Sequence, residues 1–446
     1  MGNDYGFKVC QSNGGNFFVV GFSIVPGGGN RIFVLKLNPY GDTIWTRVIG
    51  TGRALAAVSA GDGGVVITGD WNQAFTLKLD SNGNQVWLKF YGGSFVQCRD
   101  IKKTSDGGYI ACGRDVNVNS DGYAFKVDSL GNLQWQMIYP AVEFKYYESV
   151  ENGINGGYII VGTVWDDNFP NDTAKSLITR INDLGNIVWE KRYKILNGGA
   201  SGSFVYKLMQ GYIFAGAVSD SVTSNISKIY FSRIDTGGNI FYGKIFPTTQ
   251  KEYFGDIKIL NDNKYIIALN RDSANTTIFK AKAMVTDSLG NILREKIFSR
   301  DDYESFNSVL PVSNGDFVFA GTTVNESIGL PFDVYVVRAD STFNAPPIGI
   351  SSNGNIISKD HKLLQNFPNP FNPVTKIKYQ IPYSSIVILK VYDVLGREVK
   401  TLVNQFKSKG TYEISFDGNE NPSGLYFYQL SVDGNIIDSK KMILIR

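Results

Sequence analysis

The sequence predicts an all-β protein in which a seven-bladed β-propeller is followed by a small β-sandwich. A hairpin signature recurs along most of the chain, and a second, Gly-ended element recurs about every 50 residues. The last 80 or so residues are divided by turn residues into short strand-like segments. Gly (48 residues) and an aromatic content of 13% fit a turn-rich protein with a packed core.

The hairpin signature is best preserved from Asp128 to Trp135, which reads DSLGNLQW. The Asp side chain accepts hydrogen bonds from amides further along, and Gly-Asn tolerates positive φ, so a turn between antiparallel strands is predicted. The Trp is expected to bury its ring against the neighbouring repeat. A calcium loop is the alternative, and the structural turn is favoured. Other copies begin at Asn38, Asp80, Asn182, Asp235 and Asp287, with a degraded copy at Asp340.

The second element is a tight turn followed by a short strand, as in Asp106 to Gly113. A repeat of this length made of short strands is typical of one four-stranded propeller blade. Seven copies therefore predict seven blades over residues 1–350. The terminal position of the element recurs at Gly21, Gly69, Gly113, Gly162, Gly216, Leu269 and Gly321.

Within one repeat, strands a to d are predicted at residues 100–103, 109–112, 123–127 and 133–138. The a–b and c–d connections are tight turns that share one face of the propeller. The b–c and d–a connections vary in length and share the opposite face, where ligand-binding loops are expected. The longest is residues 165–172, for which a solvated polar loop is favoured over a calcium site.

Strand a is expected to be innermost, so one position of it lines the central channel. Counting back thirteen residues from each terminal position predicts the lining set. Asp100 and Asp256 lie three repeats apart, too far for a shared acid/base pair, and solvated polar lining is the interpretation. The full set is Lys8, Ala56, Asp100, Ser149, Ser203, Asp256 and Ser308.

Composition excludes several classes of function. The net charge is +3, and residues 1–363 hold 34 basic and 34 acidic side chains, which argues against a nucleic-acid footprint. The single histidine, His361, lies in a polar linker, which removes histidine-based catalysis from the folded domains. Three cysteines make neither a disulfide framework nor a zinc motif. No apolar run is long enough to span a membrane, and no cofactor or metal site is predicted.

The seventh repeat is expected to be defective, because prolines follow Asp340 where strand d belongs. A propeller often closes by borrowing that strand from its N-terminus, and this sequence begins at strand a with no signal peptide. We therefore expect a longer native N-terminus. An upstream reading frame with a signal peptide and a Gly-Asn-x-x-Trp strand would support this expectation, and an in-frame stop before Met1 would contradict it.

Residues 351–363 form a polar linker, and residues 364–446 a final domain. Six strand-like segments separated by turn residues predict a small β-sandwich. The segments are residues 375–381, 386–392, 398–403, 411–416, 425–432 and 439–445.

The final domain resembles the C-terminal sorting domain of proteins exported by the type IX secretion system of Bacteroidetes. The resemblance implies an immunoglobulin-like sandwich, contact with the export machinery, and a secreted or outer-membrane surface location. Phe416 stands where the family more often has Trp. The motif positions that carry the resemblance are Asn366, Pro368, Asn369, Pro370, Phe371, Asn372, Pro373, Gly396, Gly424, Lys440 and Lys441.

The propeller is interpreted as a non-catalytic binding or adhesion module for a glycan or protein, because no catalytic constellation is found. The alternative is a secreted carbohydrate-active enzyme that uses loop carboxylates and tyrosines, since propellers host both functions. Two carboxylates about 5 to 10 Å apart in one pocket would favour the enzyme. Its candidate residues are Glu148, Asp166, Glu304, Tyr147 and Tyr303.

Overall fold

The structure is a computed structural model that divides the chain into two compact units, residues 1–351 and 352–446. The linker predicted at residues 351–363 lies outside the described residues except for its last two positions. The described residues are 3–25, 28–39, 41–117, 120–141, 144–165, 173–219, 226–260, 263–272, 279–298, 303–324, 332–345, 362–381, 385–407, 410–432 and 435–445.

The first unit is built from antiparallel sheets, which we number one to seven in chain order. Its described residues form six sheets of four strands and a seventh of three. The strands are β1 (Asn3–Gln11), β2 (Phe17–Ile24), β3 (Asn30–Leu37), β4 (Thr43–Ile49), β5 (Arg53–Ser59), β6 (Val65–Asp70), β7 (Ala74–Leu79), β8 (Gln85–Tyr91), β9 (Val96–Lys103), β10 (Tyr109–Asp115), β11 (Asp121–Val127), β12 (Leu133–Tyr139), β13 (Lys145–Asn152), β14 (Tyr158–Val164), β15 (Lys175–Ile181), β16 (Ile187–Tyr193), β17 (Ala200–Lys207), β18 (Tyr212–Ser219), β19 (Ser227–Ile234), β20 (Ile240–Ile245), β21 (Glu252–Ile259), β22 (Tyr265–Asp272), β23 (Phe279–Thr286), β24 (Ile292–Phe298), β25 (Tyr303–Pro311), β26 (Phe317–Val324) and β27 (Asp333–Ala339).

The sheets follow one another around a closed ring. Within each sheet the strands pair in sequence order, and the first strand of each sheet contacts the first strand of the next. The ring closes because β25 and β26 contact β1, and the apolar side chains of sheets seven and one share a core. The predicted all-β propeller fold is confirmed, while the count of seven blades stays a prediction.

The signature turn has the predicted hydrogen bonds. The amides of Leu130 and Asn132 both donate to Oδ1 of Asp128, at 2.8 Å each, and the amide of Gly131 donates to the Asp128 carbonyl at 3.1 Å. The strands on either side pair antiparallel. The carboxylate is therefore occupied in holding the turn.

Four of the signature turns rest on the Trp of the preceding sheet. Gly131 has a φ of 78°, and a Cβ added there would lie 3.1 Å from the ring of Trp87. Gly83, Gly185 and Gly238 face Trp45, Trp135 and Trp189 in the same way. The Trp is thus packed against the neighbouring repeat, as predicted.

The turn at Asp340 keeps the hydrogen bonds of the signature although its sequence is a degraded copy. The amides of Thr342 and Asn344 donate to Oδ1 of Asp340 at 2.8 Å each. Phe343 replaces the glycine at a φ of 66° and is 1% exposed. The preceding sheet has Arg294 where sheets one to four have Trp, and its guanidinium lies 5.7 Å from the centre of the Phe343 ring. The aromatic ring comes from the turn instead of the strand.

The second unit contains two sheets around one core. One sheet has the order β28-β29-β32 and the other β31-β30-β33-β34, and apolar side chains of both form a single cluster. This arrangement bears out the predicted strands and sandwich, and the immunoglobulin-like designation stays a prediction. The strands are β28 (Lys362–Leu363), β29 (Val374–Ile381), β30 (Ser385–Tyr392), β31 (Glu398–Lys407), β32 (Gly410–Asp417), β33 (Gly424–Val432) and β34 (Asn435–Leu444). In the part of the chain that the structure describes, no helix is long and apolar enough to cross a membrane.

The contact between Gly131 and Trp87 gives a first prediction. Gly131→Ala is expected to lower the free energy of unfolding by about 2 to 4 kcal/mol. The added Cβ would be strained at the positive φ of this position and would also clash with the Trp87 ring. Gly107→Ala is the control, since Gly107 has a φ of 85° with no atom within 4 Å of an added Cβ. It is expected to cost only about 1 to 2 kcal/mol. All six Trp lie in the first unit, so denaturation followed by Trp fluorescence reports on it alone. Equal losses in the two variants would contradict the packing argument.

The exchange at Arg294 and Phe343 gives a second prediction. Phe343→Gly is expected to lower the free energy of unfolding by about 2 to 3 kcal/mol, because the loss of a buried ring outweighs the relief of positive φ. Arg294→Trp alone is expected to destabilise, because two rings would compete for one space. The double variant is expected to recover at least half of the Phe343→Gly loss. Additive losses in this cycle, measured by Trp fluorescence, would contradict the exchange.

Candidate functional site

A β-bulge in the innermost strand of each sheet places one residue against the central channel. In all seven innermost strands the pairing with the second strand skips one residue. A bulge leaves the extra residue outside the ladder and re-aims its side chain. The skipped residues all line one cavity of about 230 Å³, which we call the channel cavity; they are Phe7, Leu55, Arg99, Glu148, Ser203, Gly255 and Asn307.

Of the predicted channel-lining set, Lys8, Ala56, Asp100 and Ser203 line the channel cavity. The set falls on the residue after the bulge in six sheets and on the bulge residue itself in sheet five. There the first turn closes with Lys207 opposite Tyr212, one residue tighter than Lys103 opposite Tyr109 in sheet three. Counting back from Gly216 therefore reaches Ser203, the bulge residue. Phe204 occupies the place that Asp100 occupies in sheet three.

The expectation of solvated aspartates is wrong, because Asp100 is 6% exposed and Asp256 is fully buried. Oδ2 of Asp100 accepts hydrogen bonds from the Ser149 hydroxyl at 2.9 Å and the Val150 amide at 3.2 Å. Asp256 makes the same pair of bonds to Ser308 and Val309 in the next sheet. Each aspartate therefore joins two neighbouring innermost strands.

Asp256 also anchors two lysines. Nζ of Lys8, from sheet one, lies 3.2 Å from its Oδ2, and Nζ of Lys258 binds its Oδ1. Burial alone would raise the pKa of the Asp256 carboxyl, but the charges of Lys258 and Lys8 outweigh burial and hold that pKa at about 2. This carboxylate stays ionised and fully engaged at neutral pH.

Arg99 and Glu148, from adjacent sheets, are different. The buried Nε of Arg99 has no hydrogen-bond partner, and Glu148 forms no hydrogen bond or ion pair, within the described part of the chain. Burial raises the pKa of the Glu148 carboxyl, and the charges of Arg99 and Arg114 oppose that rise. The cavity thus holds one cationic donor and one carboxyl that the fold leaves unused.

An aromatic cleft of about 360 Å³ lies at the start of the same two innermost strands. It is lined by Arg114, Val116, Ser120, Phe144, Tyr146 and Trp165. The Tyr146 and Trp165 ring centres are 5.6 Å apart, and the Arg114 guanidinium lies 6.0 Å from the Tyr146 ring centre. The Trp165 amide donates to the Phe144 carbonyl at 2.9 Å. This bond joins the connection between β14 and β15 to the connection between β12 and β13.

The candidate residues of the enzyme alternative are not brought together. Glu304 is fully buried and pairs with Lys280 at 3.3 Å. Tyr147 is also fully buried and donates to the Thr179 hydroxyl at 2.9 Å. Tyr303 packs edge-on against the rings of Phe279 and Phe332. Asp166, with the rest of its loop through residue 172, lies outside the described residues.

The described residues contain no group of three or more His, Cys, Asp or Glu side chains able to hold a metal ion. The three cysteines are free thiols, and Cys98 and Cys112 are buried.

The motif of the second unit divides into buried anchors and an exposed ring. Asn366 is 2% exposed, and its side-chain amide donates to the Thr375 hydroxyl at 2.9 Å. The Tyr428 hydroxyl accepts from the Asn366 amide and donates to the Leu364 carbonyl, each at 2.8 Å. Phe371 is buried in the core, whereas Phe367 is 79% exposed.

The other motif residues fix the segment to the last strand or form turns. Oδ1 of Asn369 accepts from the Ile443 amide at 2.9 Å, and the Lys441 carbonyl accepts from Gln365 at 2.8 Å. Lys440 pairs with Asp438 at 3.1 Å. The remaining motif residues are Gly396 in a turn at a φ of 75°, Gly424 at the start of β33, the exposed Pro368, Pro370 and Asn372, and Pro373, whose carbonyl accepts from the Gly418 amide at 2.9 Å.

Comparison with known families decides the nature of this unit. Residues 365–445 match the family described as the secretion system C-terminal sorting domain. The second unit carries a type IX sorting domain. The protein is therefore exported, either secreted or displayed at the outer-membrane surface, as the resemblance implied. The sorting domain also implies contact with the secretion machinery.

Solved structures show similarity at low identity. The chain is similar to PorZ, described as a bacterial surface component of the type IX secretion system of Porphyromonas gingivalis, at 9% identity over 99% of this chain and 81% of that chain, with a TM-score of 0.32. It is similar to the WD40 β-propeller domain of Doa1 at 11% identity over 72% and 90%, with a TM-score of 0.41. A Synechocystis apocarotenoid oxygenase mutant matches at 11% identity over 77% and 92%, with a TM-score of 0.50. These matches concern the fold alone. The comparison with curated proteins finds no match.

Proposed function

We propose that the protein is an exported, non-catalytic binding module whose propeller takes its ligand at the channel cavity and the aromatic cleft. The observation that supports binding over catalysis is the state of the carboxylates. Asp100 and Asp256 are both occupied by hydrogen bonds between sheets, which leaves Glu148 as the one unengaged carboxyl of the described cavity lining. The canonical mechanism of glycoside hydrolysis uses a pair of carboxyl groups, whereas a binding site needs no such pair.

Binding without turnover is the expected result for the full chain. The measurement is an array of glycans and purified surface proteins, followed by mass spectrometry of every bound glycan. A retained, uncleaved ligand is expected. Cleavage would contradict the proposal in favour of the carbohydrate-active enzyme, and the absence of any bound ligand would contradict it as well.

For the sorting domain we propose that the export machinery contacts the exposed part of the motif, while the buried part holds the domain together. Phe367 is 79% exposed next to the exposed Pro368, whereas Asn366 and Phe371 are buried. The exposed ring is held in place by the bonded segment beside it and is therefore available for contact with another protein.

Phe367→Ala is expected to leave the melting temperature unchanged and to reduce the exported fraction severalfold, because it removes exposed apolar surface only. Phe406→Ala is the matched control, since Phe406 is 66% exposed on β31 of the same unit. Export is measured by immunoblotting cell-surface and cellular fractions. Equal export of both variants and the parent would contradict the role of Phe367.

A further inference from the structure

The channel cavity offers a ligand one donor group and one acceptor group. Four charged side chains line it, and two of them, Lys8 and Asp100, are engaged by protein partners. Arg99 and Glu148, the bulge residues of sheets three and four, have no ion pair within the described residues. The Nε of Arg99 is a buried donor without a partner, and the partly exposed Glu148 carboxyl has no partner either, so a ligand that satisfies both groups is favoured.

The local charge balance favours a ligand without net charge. The charges that act on the Glu148 carboxyl come from Arg99, Arg114 and Asp100, so together with Glu148 the site holds two positive and two negative side chains. A hydroxyl group both donates and accepts hydrogen bonds, so two neighbouring hydroxyls can accept from the guanidinium and donate to the carboxylate. Vicinal hydroxyls are the defining feature of sugars.

The aromatic cleft continues from this pair of groups. Tyr146 lies two residues before Glu148 on β13, and Arg114 donates through Nε to Oε1 of Gln97, two residues before Arg99 on β9, at 3.0 Å. Sugar rings present apolar C–H faces that pack on aromatic rings. The exposed Phe144 and the partly exposed Tyr146 and Trp165 supply such rings. The cavity and the cleft together suit a ligand longer than one sugar unit.

We propose that sheets three and four bind a neutral oligosaccharide, with neighbouring hydroxyls of one sugar between Arg99 and Glu148 and an adjoining sugar stacked on Tyr146 and Trp165. This inference rests on the proposed binding function and specifies its ligand class and its site.

The experiment is isothermal titration of the full chain with cellohexaose, mannohexaose and xylohexaose. An oligogalacturonate of the same length is the anionic charged arm, and an amino-acid mixture is the zwitterionic charged arm. At least one neutral hexasaccharide is expected to bind. Arg99→Met, Glu148→Gln and Trp165→Ala are each expected to weaken that binding by about tenfold or more.

Matched controls separate this site from the rest of the propeller. Glu295→Gln changes a half-exposed carboxylate on β24, and Phe241→Ala removes an exposed ring on β20, and both are expected to leave the affinity unchanged. Melting temperatures identify any variant that fails to fold.

Three outcomes would overturn the inference: exclusive binding of a charged probe, neutral binding that all three site variants preserve, and no binding at all. The first two leave a protein that binds a ligand without turnover, so the proposed function stands and only the ligand class or the site is wrong. Absence of binding to these probes and to the array overturns both.

Discussion

The propeller depends on the contact between a glycine turn and the tryptophan of the preceding sheet. In Gly131 on Trp87, positive φ and the missing Cβ bring the turn backbone onto the ring face. A hydrogen bond from the hydroxyl of Tyr91, in the same preceding sheet, to the Gly131 carbonyl at 2.7 Å adds direction to an otherwise non-directional contact. Because the contact joins neighbouring sheets, it fixes how the turn of one sheet packs on the last strand of the sheet before it at four junctions.

Most of this scaffold was predictable because its signals are local. The Asp, Gly and Asn of each turn mark the strand ends, so the strands around Asp128 lie within a few residues of their predicted bounds. The sequence did not reveal that Arg294, at a Trp position, and Phe343, at a Gly position, compensate for each other. Each substitution considered alone looks like loss of the repeat signature. Only their contact in space shows that one compensates for the other.

The candidate site was predicted less well, for a physical reason. A bulge needs one extra residue but no particular residue type, so Arg99 and Glu148 carry no spacing signal that separates them from the ladder residues beside them. The thirteen-residue spacing found the adjacent position instead, where Asp100 and Asp256 serve the scaffold. The sequence suggested Glu148 as a candidate from its residue type alone. It could not show that Glu148 and Arg99 line the same channel cavity.

The paired exchange at Arg294 and Phe343 has a consequence for how such a ring diversifies. A single repeat is not an interchangeable module, because half of each interface belongs to the next repeat. Duplication or recombination that cuts between sheets six and seven would place a Phe turn on a Trp strand, or a Gly turn on an Arg strand, and either junction would be poorly packed. The heritable unit is therefore the junction between two repeats, and recombination is tolerated best where it cuts through the middle of a sheet.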